Sequence, residues 1–428
     1  MYTIFAHTLL PISSPPVQNG YITVDKGRIV AMGAMGELPD SPEKDAFIYD
    51  NDNISILAPR FVNAHCHLEQ SFSTPVEKTP EQPMSDWLKR VTERNRQYSS
   101  PEDTEARCIR GVKALLASGT TCVNDISGMH GLTLGVLEEV GLRGIVSPEF
   151  FHPAPDPVNL KSVFDIYREL TERVRNHSLL QVGLSPHTPF NVSASAWRVL
   201  LKECTDPGSN TLPIIHTHIA ESKDELAWVS GKVSDIDTLH AMFADKAYPP
   251  LSPHTSSVLY MKHYGLLTES TIAAHLIYTS AEDRRILKDS GVKIVHCPRS
   301  NLYLQNETLN WQDWLGSGIP IGLGTDGQLS TETLDIRDEA RTAMTHHGIS
   351  AANILELMTL GGARVMGLDS EIGTLAVGKS ADYALWSVPD SLGGLSAEDQ
   401  LLAPETILTK LVVAGRSLDI PKKSGSRQ

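Results

Sequence analysis

Six side chains suited to metal and proton chemistry follow short apolar runs through the middle of the chain. They are His65 and His67 in "NAHCHLE", His218 and Glu221 in "HTHIAES", His275 in "IAAHL" and Asp326 in "GLGTDG". On an extended strand residues two apart point the same way, so His65 and His67 reach one ion while Cys66 turns aside. Adding His218 and Asp326 supplies three imidazoles and a carboxylate. One divalent metal fits that set, zinc first and iron or manganese also, with a position left for water. Its chemistry is hydrolytic: Glu221 gives a proton to a ring nitrogen, His275 orients water, and Asp326 both ligates and accepts a proton. Each motif alone recurs by chance in other chains; it is their joint placement at strand ends that points to one site. His216, two before His218, is expected deeper and structural.

Something must bring these strand ends together. Between residues 60 and 368 apolar runs alternate with amphipathic stretches, the rhythm of βα units around a parallel sheet. The runs are "ILAPRFVNAHCH", "TTCVNDIS", "RGIVSPEFF", "LQVGLSPHT", "LPIIHTHIAES", "TIAAHLIY", "KIVHCPRSN" and "PIGLGTDG", a set of eight. Eight such units predict an α/β (β/α)8 TIM barrel, in which strand C-termini share one mouth. Glu149 and His187 fall at strand ends as well. The flanking segments, 1–59 and 369–420, read as strands and turns and are expected to form one small composite β-sandwich, with 421–428 a flexible tail.

Composition narrows the partners. The 428 residues carry 37 Lys and Arg against 51 Asp and Glu, a net charge of −14, which offers no cationic field for nucleic acid. The five cysteines are scattered and form no CxxC pair, which argues against a disulfide framework or a thiolate zinc site and for a cytoplasmic protein. No apolar run is long enough for a membrane span, and no signal sequence is read at the N-terminus.

In order, "NAHCHLE", "HTHIAES", "IAAHL", "HCPRSN" and "GLGTDG" resemble the amidohydrolase superfamily, in particular its aminohydrolases of purines, adenosyl compounds and triazines. The resemblance spans nearly the whole chain. It implies a metal held by His65, His67, His218 and Asp326, catalytic roles for Glu221, His275 and Asp326, and often a homodimer. Binuclear relatives use a bridging lysine on the fourth strand; "LQVGLSPHT" has none, so a mononuclear site is expected.

Substrate choice then lies in the lining. Trp87 is expected to stack on a flat heterocycle, and Glu69 or Glu149 to accept hydrogen bonds from ribose or ring NH groups. His187, Ser300 and Asn301 are further lining candidates. Arg299 is expected to clamp a carboxylate bidentately. With "HCHLE" and the Trp helix, "HCPRSN" looks similar to aminodeoxyfutalosine deaminases, whose substrate joins an adenine nucleoside to a carboxylated arm and lies on a route to menaquinone. An S-adenosylhomocysteine/methylthioadenosine or guanine deaminase, a triazine chlorohydrolase and, remotely, a non-catalytic scaffold are the alternatives.

Overall fold

The structure, a computed structural model, describes residues 1–37, 54–79, 82–128, 131–154, 159–206, 208, 211–244, 247–305 and 307–421. The tail expected over 421–428 therefore lies, from residue 422 on, outside the described residues.

Four strands come first: β1 (Tyr2–Leu9), β2 (Val17–Asp25), β3 (Arg28–Ala34) and β4 (Ile54–Pro59). Then follow β5 (Phe61–Cys66), β6 (Thr120–Ser127), β7 (Arg143–Phe150), β8 (Leu180–Val182), β9 (Ser185–Pro186), β10 (Ile215–Ile219), β11 (Thr271–His275), β12 (Lys293–His296) and β13 (Ile321–Leu323). The last are β14 (Tyr383–Val388), β15 (Ile407–Val413) and β16 (Arg416–Leu418).

Strands from both flanking segments make one seven-stranded sheet, in the order β16-β15-β14-β4-β1-β2-β3. Alternation along β4 and β14 gives this sheet two buried faces. Leu57, Tyr383 and Leu385 join Ile4, Ile22 and Ile29 in a core of their own, whereas Ile56, Ala58, Ala384, Trp386 and Val388 enter the main core. The pairing joins both flanking segments in one composite sheet.

The run "ILAPRFVNAHCH", expected as a single strand, is two. Its first half, β4, belongs to the seven-stranded sheet and its second half, β5, to the parallel strands. Arg60 sits at the division, buried, and pairs with Asp382, which also accepts from Arg143 Nε at 3.2 Å. Burial alone raises a carboxyl pKa, yet Asp382 lies below its usual value because two guanidinium groups outweigh that penalty. This ionic knot ties the flanking sheet to the parallel strands.

The parallel strands form two runs, β5-β6-β7-β8, with β9 also on β7, and β10-β11-β12-β13. Short pairings join them at both margins. Leu184 bridges Ile215, with its N–H donating to Ile214 O at 2.8 Å. Cys66 bridges Asp326, and Thr325 and Asp326 N–H both donate to His65 O at 3.0 and 3.1 Å. The second margin demands Gly324, because a Cβ there would lie 2.6 Å from His65 Cβ. Helices connect the strands. Helix Ala281–Asp289 opens on a capping box of Ser280 and Asp283 and is followed by Gly291 in the left-handed region. No helix among the described residues is long and apolar enough to cross a membrane.

Candidate active site and metal centre

The margin that joins β13 to β5 also brings Asp326 to the two histidines of β5. His65 Nε2 and His67 Nε2 face Asp326 Oδ1 at 3.6 and 3.4 Å, too far for strong direct bonds and close enough to share an ion. Ligand atoms of His65, His67 and Asp326 lie within 4.8 Å of one another, as do those of His65, His218 and His275.

The outer nitrogens show how the rings are aimed. His218 Nδ1 donates to His187 O at 2.9 Å, and His65 Nδ1 meets His216 Nε2 at 2.9 Å, the deep structural place expected for His216. Both contacts leave Nε2 to point inward, and His65 Nε2 is buried with no hydrogen-bond partner. Burial keeps these rings uncharged: His65 lies below its ordinary pKa, His67 well below it, and His218 is lowered to about 4. Asp326 is buried too, yet the surrounding histidines hold it well below the usual carboxylate range. Neutral imidazoles, an ionised carboxylate and an orphaned inward nitrogen fit a divalent cation.

The backbone around this cluster is bent into the left-handed region at four non-glycine positions: Ala220 (φ 53°), His275 (φ 74°), Leu276 (φ 53°) and Asp326 (φ 59°). Such conformations cost energy and persist where their surroundings impose them. At Ala220 and Glu221 the imposing group is Glu225, which accepts from both backbone N–H groups at 2.8 and 3.1 Å. Sequence reading missed Glu225, although "SKDE" is the S-x-x-E pattern of a helix start that could have drawn attention to it.

Glu221 Oε1 stands 3.9 Å from His275 Nε2. Burial, with the nearby Asp326 charge, pushes the Glu221 carboxyl up to about 8. His275 Nδ1 donates to Asn301 Oδ1 at 2.7 Å, and Asn301 Nδ2 donates to His296 Nδ1 at 3.0 Å. His296 Nε2 then reaches Thr308 Oγ1 at 2.6 Å. That chain leaves His275 Nε2 as an acceptor facing the cluster. Ser300 Oγ donates to Asp326 Oδ2 at 2.5 Å, and Ser330, also missed from sequence, does so at 3.2 Å.

Four lining expectations are corrected by these contacts. Ser300 and Asn301 address Asp326 and His275 instead of a substrate. Trp87 is 7% exposed, packs with Phe72, Val76, Val91, Leu304 and Leu329, and donates to Val76 O at 2.9 Å, so it offers no open face for stacking. Arg299 donates to Thr333 Oγ1 at 3.1 Å and Glu332 Oε2 at 2.9 Å, with Asp338 and Glu339 at 3.9 Å. Its guanidinium is thus engaged by Thr333 and Glu332, with Asp338 beside it, and is not free to clamp a substrate carboxylate.

Two other candidates sit beside the cluster. Glu149 Oε1 is buried without a hydrogen-bond partner, 3.9 Å from His187 Nε2, and burial pushes its carboxyl up to about 8. Glu69 accepts from Ser127 Oγ at 2.5 Å and from Gly128 N–H at 3.1 Å.

A parallel α/β frame that gathers imidazoles and a carboxylate at its strand ends defines a metal-dependent hydrolase. The profile described as Amidohydrolase family matches residues 56–418, and the chain belongs to that family. Over 421 residues the chain is 26% identical to a 5-methylthioadenosine/S-adenosylhomocysteine deaminase of Moorella thermoacetica, with 96% of this chain and 90% of the relative covered. Among solved structures it is similar to an adenosine deaminase of Xanthomonas campestris with bound zinc, at a TM-score of 0.81 and 23% identity, covering 97% and 92% of the two chains. It is also similar to the Helicobacter pylori aminofutalosine deaminase, at a TM-score of 0.79 and 21% identity, covering 98% and 100%.

Proposed function

We propose that the eight parallel strand positions close into a (β/α)8 barrel, and that the chain hydrolytically removes the exocyclic amine of an adenine-type nucleoside. Closure is supported by the pairings at both margins, and the substrate class by the deaminase relatives. The observation that carries the chemistry is a buried, proton-holding Glu221 facing an acceptor nitrogen of His275 beside an ionised Asp326.

His65, His67, His218 and Asp326 would hold one divalent cation, zinc by preference. When bound, that ion would supply Lewis acidity that makes water nucleophilic at neutral pH. The protein's own groups do the rest. Glu221 gives its proton to the ring nitrogen beside the amine-bearing carbon as water oxygen adds to that carbon. Asp326 and His275 take both protons from the water and return one to the departing amine and the other to Glu221, so ammonia leaves, a carbonyl remains and the acid is restored. Glu149 and His187 are suited to hold the ring or ribose, because Glu149 Oε1 has no protein partner.

The finer assignment, 6-amino-6-deoxyfutalosine, rests on resemblance and on the Helicobacter pylori neighbour, since Arg299 is engaged elsewhere. S-adenosylhomocysteine and methylthioadenosine stand beside it through the Moorella relative. Ammonia release by the zinc-loaded protein on these three, adenosine and guanine tests both levels. Preference for one adenine nucleoside supports the class and names the member. Activity on guanine alone, or on none, overturns the adenine reading.

A further inference from the structure

Away from the metal centre, an open cavity of about 690 Å³ lies between residues 72–74 and the helices Met84–Gln97 and Pro101–Ala117. Arg90, Arg94, Arg107 and Arg110 line it, with Glu93 and Asp103 as the carboxylates. Among the described residues, none of these arginines forms an ion pair. Each guanidinium donates to uncharged oxygens instead. Arg90 reaches Glu77 O at 2.7 Å and Gln82 Oε1 at 3.0 Å, and Arg94 reaches Thr74 O at 2.5 Å. Arg107 reaches Glu69 O at 2.6 Å and Tyr98 O at 2.7 Å, and Arg110 reaches Ser71 O at 3.3 Å. Arg94 and Arg107 also lie over the Phe72 ring, at 5.5 and 4.8 Å.

Carbonyls satisfy hydrogen-bonding valence without neutralising charge. Asp103 is already engaged by Ser100 Oγ at 2.9 Å, and Arg107 is only 8% exposed. In a chain of net charge −14, four guanidinium groups against two lining carboxylates leave this hollow cationic, even with the Glu69 carboxylate acting on Arg107 from beside it. Planar guanidinium forks match phosphoryl oxygens, and the volume lies in the range of small-molecule sites.

We propose that this cavity binds a small phosphate monoester as its dianion, at a site separate from the metal centre. Three of its arginines hold carbonyls of residues 69–74, the segment that follows His67 and carries Glu69. Occupancy therefore acts on the loop beside the metal ligands.

Calorimetric titration of the zinc-loaded full chain with phenyl phosphate, and separately with inorganic phosphate, tests the proposal. The variants are Arg90→Gln with Arg94→Gln, and Arg110→Gln alone, whose thermal unfolding reports whether each folds. Saturable binding of phenyl phosphate that weakens about tenfold or more in a folded variant supports the site. Equal binding of inorganic phosphate, with the same loss, assigns it to free phosphate. Affinity unchanged in both variants would put the anion at the metal and overturn the proposal. So would no saturation below about 10 mM in the unsubstituted protein.

Discussion

Three neighbouring positions on the helix Pro298–Gln305 use their polar groups in two different directions. Ser300 and Asn301 turn inward, where one fixes Asp326 and the other fixes the tautomer of His275. Arg299 is directed instead to Glu332, Asp338 and the buried Glu339. A helix turns about 100° per residue, so a single step along it separates a group that serves the chemistry from one that serves the packing. "HCPRSN" is one motif as text and two functions in space.

The largest break in this contrast comes from Asp326→Asn, which removes the carboxylate that Ser300 steadies. We expect kcat/KM to fall by about three orders of magnitude or more in steady-state ammonia release, with bound metal reduced by elemental analysis. Near-normal turnover would remove Asp326 from the mechanism. Asn301→Ala comes next. Without the acceptor on Nδ1, His275 is free to adopt the wrong tautomer, and kcat should drop about 10- to 100-fold with KM little changed. A change confined to KM would return Asn301 to the substrate.

Arg299→Ala should leave the kinetic contrast intact and act on stability. Its partner Glu339 is fully buried, although the arginine itself is 17% exposed, so a loss of about 1–3 kcal/mol in denaturant unfolding is expected after allowing for screening. Carboxylated and uncarboxylated substrates should lose activity alike. A selective loss on the carboxylated one would revive the clamp.

The smallest effect is a slope. Burial pushes Glu339 from 4.5 up to about 8, with Arg299 opposing. The native chain thus holds this proton more tightly than the unfolded chain does, so its contribution to stability is full below about 4.5 and is lost as pH rises through about 8. Glu339→Gln should flatten that decline in unfolding midpoints compared across the window. An unchanged slope would mean that other groups carry it.

The metal cluster was legible because its residue types are rare and strand ends gather them; no contact had to be known. The strand order was legible for the same reason, apart from two runs that divide: "LQVGLSPHT" into β8 and β9, and "ILAPRFVNAHCH" at Arg60, a division that depends on Asp382 far along the chain. Side-chain direction was not legible. Trp87 and Arg299 were placed by residue type, but what decides their roles is a carbonyl at Val76 and an acidic group from residues 332–339. Those partners are distant in sequence and carry no local signature.

The seven-stranded sheet has a consequence for how the protein is made. Strand β4 needs β14 along one edge, and β14 leaves the ribosome only after all the parallel strands have been synthesised. A translation product cut short before Asp382 would carry an open strand edge beside the metal-binding strand and two buried arginines without their counter-ion. Open edges and unpaired buried charge mark a chain for aggregation or proteolysis. The arrangement makes the last strands a checkpoint on completeness, so prematurely terminated chains are exposed to disposal before they can accumulate as half-built enzyme.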